Sequence, residues 1–129
     1  MEGYFDGASR GNPGTAGAGA LLVDESGNVV WETARFLGKK TNNEAEYEAL
    51  ILLLSAARER RVRELRVYGD SKLVISQVSK QWKINLPHLR ALAQEVWKLA
   101  EGIDVTFEWI PRDKNKRADD LSNQGIDGA

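Results

Sequence analysis

The sequence predicts an α/β fold built on a mixed sheet with helices on its faces, and three observations carry that expectation. Two β-like runs are joined by so few residues that they should pair antiparallel. After about residue 43 the apolar spacing changes from alternation to steps of three and four. From there helical and strand patterns alternate, which adds parallel strands to the sheet and lays helices against it.

In chain order, Gly3 to Ser9 reads as a first strand that ends in the turn cluster Gly11-Asn12-Pro13-Gly14. Ala18 to Val23 is a second strand, Asp24 to Asn28 a hairpin-like break, and Val29 to Leu37 a third strand. Tyr47, Leu50, Ile51, Leu54 and Ala57 then mark an amphipathic helix over Asn43–Arg61. Its start carries two overlapping cap signals, Thr41-x-x-Glu44 and Asn43-x-x-Glu46. A short buried-type strand, Leu65 to Tyr68, leads into a short helix over Ser71–Ser79. Pro87 opens a longer helix to about Leu99, a residue well suited to a helix's first turn. Val105, Phe107 and Trp109 alternate with Thr106 and Glu108 in a strand over Ile103–Ile110, and Asn115 to Gln124 forms a last short helix. The order is βββ-α-β-α-α-β-α, with no linker, repeat or low-complexity segment.

Composition narrows the chemistry. At 129 residues the chain predicts one domain, 1–129. Its 42% hydrophobic and 29% charged residues are those of a globular protein. The longest apolar run, Ala49 to Leu54, is far short of the roughly 18 residues of a spanning helix, and no signal peptide is visible. The expectation is a cytoplasmic monomer with no membrane partner. With no cysteine there is no thiolate ligand or nucleophile, and a single histidine, His88, argues against a Ser-His-Asp triad or a multi-histidine zinc site. Basic and acidic residues nearly balance, at 18 and 19. The cluster Arg58 to Arg66 reads as a solvated helix end, and Arg112, Lys114, Lys116 and Arg117 crowd a second stretch. What remains for chemistry is mostly carboxylate.

Four acids stand where acids are costly or well placed. Asp6 lies inside the first strand, on the face shared by Tyr4 and Ala8, and an unpaired buried carboxylate needs a partner or a shifted pKa. Its ordinary alternative is a tight Asp6-Gly7 turn. Glu46 could simply complete a capping box, and Asp70, directly after a strand, could be an N-cap. The carboxyl end of a strand in an α/β sheet is also where ligand sites gather. Asp119 shares a helix face with Asn115, while Asp120 points about 100° away and suits a solvated surface. Converging carboxylates without cysteine or histidine suit a hard, oxygen-seeking ion such as magnesium.

Four segments make the sequence resemble the type 1 ribonuclease H family. They are Phe5-Asp6-Gly7-Ala8-Ser9-Arg10-Gly11-Asn12-Pro13-Gly14, Thr41-Asn42-Asn43-Glu44-Ala45-Glu46, Gly69-Asp70-Ser71-Lys72-Leu73-Val74, and Trp109-Ile110-Pro111-Arg112-x-x-Asn115-x-x-Ala118-Asp119-x-Leu121. They run in the family's order across nearly the whole chain. The resemblance implies a ribonuclease H-like fold: a five-stranded mixed sheet, antiparallel in its first three strands and then parallel, flanked by helices. It implies a divalent-metal site of Asp6, Glu46, Asp70 and Asp119, taking Mg²⁺ with Mn²⁺ as the alternative. In that reading Asp6 bridges two ions, Asp70 and Asp119 hold one each, and Glu46 serves a metal and the ribose 2′-hydroxyl.

By the same resemblance Asn12, Asn42, Asn43 and Gln77 would contact the backbone of an RNA/DNA hybrid. Lys39 and Thr41 would hold a DNA phosphate, and Trp82 would pack along the DNA strand unless it is a core residue. Two departures stand out. Arg112 occupies the place of the family's mobile histidine, and an arginine cannot carry protons near neutral pH. Its role would be electrostatic, at the scissile phosphate or in product release. The long basic handle of many members is missing between Gln77 and His88, which points to the compact branch that also lacks a separate hybrid-binding domain. Lys72, Lys80 and Lys83 would compensate only in part.

The implied activity is sequence-independent hydrolysis of the RNA strand of RNA/DNA hybrids by a two-metal mechanism, leaving 5′-phosphate and 3′-hydroxyl ends. Three alternatives remain: a relaxed nuclease of the same fold that also cuts double-stranded RNA, a non-catalytic hybrid-binding module, and a carboxylate-rich structural protein that binds no divalent ion.

Overall fold

The structure, a computed structural model, describes residues 1–128. Three strands come first, β1 (Glu2–Gly11), β2 (Gly14–Val23) and β3 (Val29–Lys40). They are followed by α1 (Asn42–Glu59), β4 (Glu64–Gly69), α2 (Lys72–Val78), α3 (Pro87–Ala100), β5 (Asp104–Trp109) and α4 (Lys116–Asp127). The expected order and element types hold, and the boundaries move. β2 begins at Gly14 rather than Ala18, because Thr15, Ala16 and Gly17 pair with β1 down to the turn although they show no apolar alternation. β3 runs on to Lys40 past an irregularity opposite Ala16 and Gly17, where Leu37 has no partner. A 3-10 turn over Arg112–Lys114, which apolar spacing could not announce, precedes α4.

The five strands lie in the order β3-β2-β1-β4-β5. β1 pairs antiparallel with β2 and parallel with β4; β2–β3 is antiparallel and β4–β5 parallel. This is the mixed sheet the sequence implied. One face carries the main core, where Phe5, Leu22, Leu65 and Val67 pack with Tyr47, Leu50, Leu53 and Leu54 of α1 and with Leu89, Ala93 and Val96 of α3. Each of the buried leucine, valine and phenylalanine side chains among them contributes about 1.5–3 kcal/mol. The opposite face is covered by α4 through Ala118 and Leu121 against Leu21, with Tyr4 alongside. Gly19 makes that approach possible, since a Cβ there would lie 2.4 Å from the Ala118 carbonyl oxygen.

Local chemistry sets the start of α1. Thr41 caps it, accepting from the Glu44 N–H at 3.2 Å, while the Glu44 carboxylate accepts from the Thr41 N–H at 2.9 Å. Of the two overlapping cap signals the first is used, and that releases Glu46 for another task. Among the described residues no helix is long and apolar enough to cross a membrane. Residues 79–86, between α2 and α3, contain no helix.

Candidate metal centre

Asp6 sits inside β1, paired with Gly19 of β2, so the Asp6-Gly7 turn does not form. Its side chain is 5% exposed and faces α4, with the Ser122 hydroxyl 3.4 Å from Oδ2. The next residue faces the other way. A Cβ on Gly7 would lie 2.2 Å from the carbonyl carbon of Ala45 and 2.3 Å from the Glu46 nitrogen, so glycine is what lets α1 lie directly on the strand. That contact delivers Glu46. Its Oε1 accepts from the Gly7 N–H, and its buried Oε2 has no partner.

Asp70 follows β4, but the cap of α2 is Ser71, whose hydroxyl accepts from the Val74 N–H at 3.2 Å. The Asp70 carboxylate turns instead toward α4, where Oδ2 accepts from Asn115 Nδ2 at 2.8 Å. One oxygen each of Asp6, Glu46 and Asp70 lie within 4.8 Å of one another. Asp119 stands outside this group of three. It lies one helical turn into α4, partly exposed, with Oδ1 3.9 Å from Arg112 Nη2. Asp120 is exposed, as its angular offset from Asp119 suggested.

The electrostatics follow from that crowding. Burial pushes the Asp6 carboxyl up from 3.8 to about 7; the adjoining Glu46 carboxyl opposes this, and Asp70 by its charge and Asp119 by both contact and charge add to it. Burial also raises Glu46 well above its usual value, with Asp6 the next cause. The protein gathers negative charge at a partly desolvated point and leaves a carboxylate oxygen there without a donor. Such a donor set fits a hard divalent cation, which would satisfy the orphaned oxygen and relieve the repulsion.

The other residues singled out by sequence surround this point unevenly. Asn12, exposed in the β1–β2 turn, accepts through Oδ1 from the Asn42 N–H at 3.1 Å, joining that turn to the first residues of α1. Asn42 and Lys39 are exposed, Asn43 partly so, and the Thr41 hydroxyl oxygen is engaged in the cap. Trp82 is 48% exposed and so is not a core residue. Gln77 differs from the others. It is 5% exposed, and its carbonyl oxygen accepts from the Tyr47 hydroxyl at 2.7 Å, which ties α2 to α1. The Arg112 side chain is 81% exposed at the rim. A cavity of about 550 Å³, lined by Glu2, Asp24, Glu64, Arg66 and Asp104, lies at the far end of the strands from the carboxylates.

The sequence marks Asn115 as a helix-face neighbour of Asp119 and a member of the last matching segment, and the structure gives it more. It is 2% exposed, and Nδ2 donates both to the Phe5 carbonyl at 2.9 Å and to Asp70, joining β1, β4 and α4 beside the carboxylates. Its spacing from Asp119 was the available signal. Ser122, which donates to the Asp119 carbonyl at 2.7 Å, had none.

The family described as Reverse transcriptase-like matches residues 4–125. Among curated proteins, the ribonuclease HI of Halobacterium salinarum is 42% identical over the whole of this chain. The chain spans 65% of the length of that relative and 35% of three mycobacterial ones. The crystal structure of RNase H1 from H. salinarum superposes with a TM-score of 0.96 at 43% identity, covering 99% of this chain and 98% of that one. LC11-RNase H1, solved in complex with an RNA/DNA hybrid, gives 0.93 at 37% identity, covering 98% and 96%.

Proposed function

The chain belongs to the type 1 ribonuclease H family, and from that premise we propose that residues 1–129 act as one domain that hydrolyses the RNA strand of RNA/DNA hybrids. Cleavage is largely independent of sequence and leaves 5′-phosphate and 3′-hydroxyl ends. The observation that carries this reading is the convergence of Asp6, Glu46 and Asp70 within 4.8 Å, with a Glu46 oxygen left without a donor. Asp6, Glu46, Asp70 and Asp119 hold divalent cations, Mg²⁺ first and Mn²⁺ as the alternative. When bound, such ions polarise the attacking water and neutralise charge on the phosphate oxygens.

The chain's own residues do the rest. Asn115 fixes the Asp70 carboxylate through its side-chain amide. Gly7 holds Glu46 in place through its N–H. Arg112, exposed at the rim and close to Asp119, meets the charge of the phosphate being cut or released. Asn12, Asn42 and Asn43 read sugar and phosphate without reading bases, which makes cleavage depend little on sequence. Gln77 contributes through its amide nitrogen, since its oxygen belongs to Tyr47. Lys39 and Thr41 receive a DNA phosphate, and Trp82 lies along the DNA strand. The substrate is met by an open edge rather than an enclosed cavity, as a polymer requires.

The test is digestion of an end-labelled hybrid with magnesium, with and without EDTA, beside duplex RNA and duplex DNA. Cleavage confined to the RNA of the hybrid, and stopped by EDTA, is the expected result. Equal cutting of duplex RNA would shift the assignment to a relaxed nuclease, and an intact hybrid would leave a binding module.

A further inference from the structure

Besides Asn115 and the acids themselves, one more buried polar residue touches the metal centre. Ser122 of α4 is 0% exposed. Two glycines of β2 bring it there. A Cβ on Gly17 would lie 2.3 Å from the Ser122 carbonyl oxygen, and one on Gly19 would lie 2.5 Å from the Ser122 nitrogen. The backbone of α4 therefore presses onto the strand at this residue. Gly19 is the partner of Asp6 in the β1–β2 ladder, so the same contact sets the Ser122 hydroxyl beside the Asp6 carboxylate, 3.4 Å from Oδ2. Among the described residues no other alcohol or N–H reaches an Asp6 carboxylate oxygen.

The ordinary account of a serine inside a helix is a bond back to its own backbone. Ser122 makes that bond, at 2.7 Å to the Asp119 carbonyl, but the same carbonyl also accepts from Asn123 Nδ2 at 3.0 Å and does not depend on it. Alanine would satisfy the helix better at this position, so the hydroxyl is what needs explaining. A hydroxyl carries one proton and can turn it between two acceptors while its oxygen stays in place. Glu46 and Asp70 have donors of their own, the Gly7 N–H and Asn115 Nδ2; the donor of Asp6 is shared with the residue that carries Asp119. We propose that Ser122 is a positioning residue of the metal centre: its hydroxyl, anchored at the Asp119 carbonyl, holds Asp6 Oδ2 toward α4 and so fixes the spacing between the Asp6 and Asp119 carboxylates. The inference deepens the metal-binding part of the reading above and rests on it. Being fully buried, Ser122 cannot touch a hybrid, and its effect reaches the reaction only through the acids.

The experiment compares wild type, Ser122→Ala and Ser122→Thr by thermal melts in EDTA, by calorimetric titration with magnesium, and by hybrid cleavage across magnesium concentrations. Ser122→Ala should melt within about 2 °C of wild type in EDTA, because the helix gains in propensity what it loses in bonding. It should bind magnesium about tenfold more weakly, as removal of a hydrogen-bond partner from a metal ligand does. Its kcat should fall at limiting magnesium and recover when magnesium is raised about tenfold, with KM for the hybrid unchanged. Ser122→Thr, which keeps the hydroxyl, should bind magnesium within about threefold of wild type. Magnesium affinity within about twofold of wild type in Ser122→Ala, or a loss that only accompanies a lower melting temperature, would overturn the proposal. So would a threonine variant that melts like wild type and binds as weakly as the alanine one. If wild type cuts hybrid and Ser122→Ala binds magnesium normally, this inference alone falls. A tenfold loss in a protein that cuts no hybrid would keep it and remove the proposed function; a wild type that binds no magnesium would end both.

Discussion

Replacing Asp6 by asparagine should stabilise the metal-free protein while abolishing turnover. The native fold holds the Asp6 carboxyl at about 7 against an ordinary 3.8, chiefly by burial. At about 1.36 kcal/mol per tenfold change in proton affinity, keeping that group ionised above neutrality costs the fold on the order of 4 kcal/mol. A raised carboxyl carries no penalty at pH values below 3.8, where both folded and unfolded forms are protonated. The penalty grows as the unfolded chain loses its proton first, and is complete above about pH 7. Stability of the wild type in EDTA should therefore fall from roughly pH 4 through 7 on account of Asp6, and Asp6→Asn should lose that part of the slope while keeping the part that the raised Glu46 contributes. Asparagine also relieves Glu46 of its nearest charge. Allowing for relaxation around the site, a gain of about 2–4 kcal/mol at pH 8 corresponds to a rise in Tm of roughly 10 °C for a chain this long. Excess magnesium should raise the wild-type Tm at pH 8 and leave that of Asp6→Asn nearly unmoved. Thermal melts followed by circular dichroism, across pH and with EDTA or magnesium, measure all of this. A variant no more stable than wild type in EDTA at pH 8 would show that the carboxylates do not repel one another as argued.

Three further outcomes follow from the packing. Gly7→Ala places a Cβ within 2.3 Å of the α1 backbone, so the helix must lift, and we expect a loss above about 3 kcal/mol in denaturant melts together with weakened magnesium binding by calorimetry. Asn115→Ala leaves the Phe5 carbonyl and Asp70 without their shared donor; about 1–3 kcal/mol should be lost, and kcat should fall more than KM rises. Arg112→Ala, at a side chain 81% exposed, should slow hybrid turnover while melting temperature and magnesium affinity stay near wild type; turnover at the wild-type rate would reduce Arg112 to a solvated charge.

Much of the fold was legible because local rules and tertiary packing agree in this chain. The apolar steps of α1 became its core face, and Pro87 did open α3. The edges were harder to read: β2 starts in small residues whose strand state comes from pairing with β1, not from their own pattern. At the site, Asp6, Glu46 and Asp70 each had an ordinary local explanation, and each was removed by a neighbour. The turn is replaced by the β1–β2 ladder, the cap on α1 goes to Thr41 and Glu44, and the cap on α2 goes to Ser71.

The sequence by itself determined the order of elements, the absence of thiol and histidine chemistry, and a set of acids on separate elements. Motif spacing then tied those acids to one family. Only the tertiary structure decided that Asp6, Glu46 and Asp70 meet with Asp119 at their edge between Asp6 and Arg112, that Gln77 turns inward to Tyr47, and that Asn115 clamps two strands. The reason is that a side chain's alternatives along the chain are nearly equal in free energy, within about 1 kcal/mol for a cap or a turn. Contacts between residues 30 to 110 positions apart, made where one glycine lets a helix touch a strand, are what choose among them.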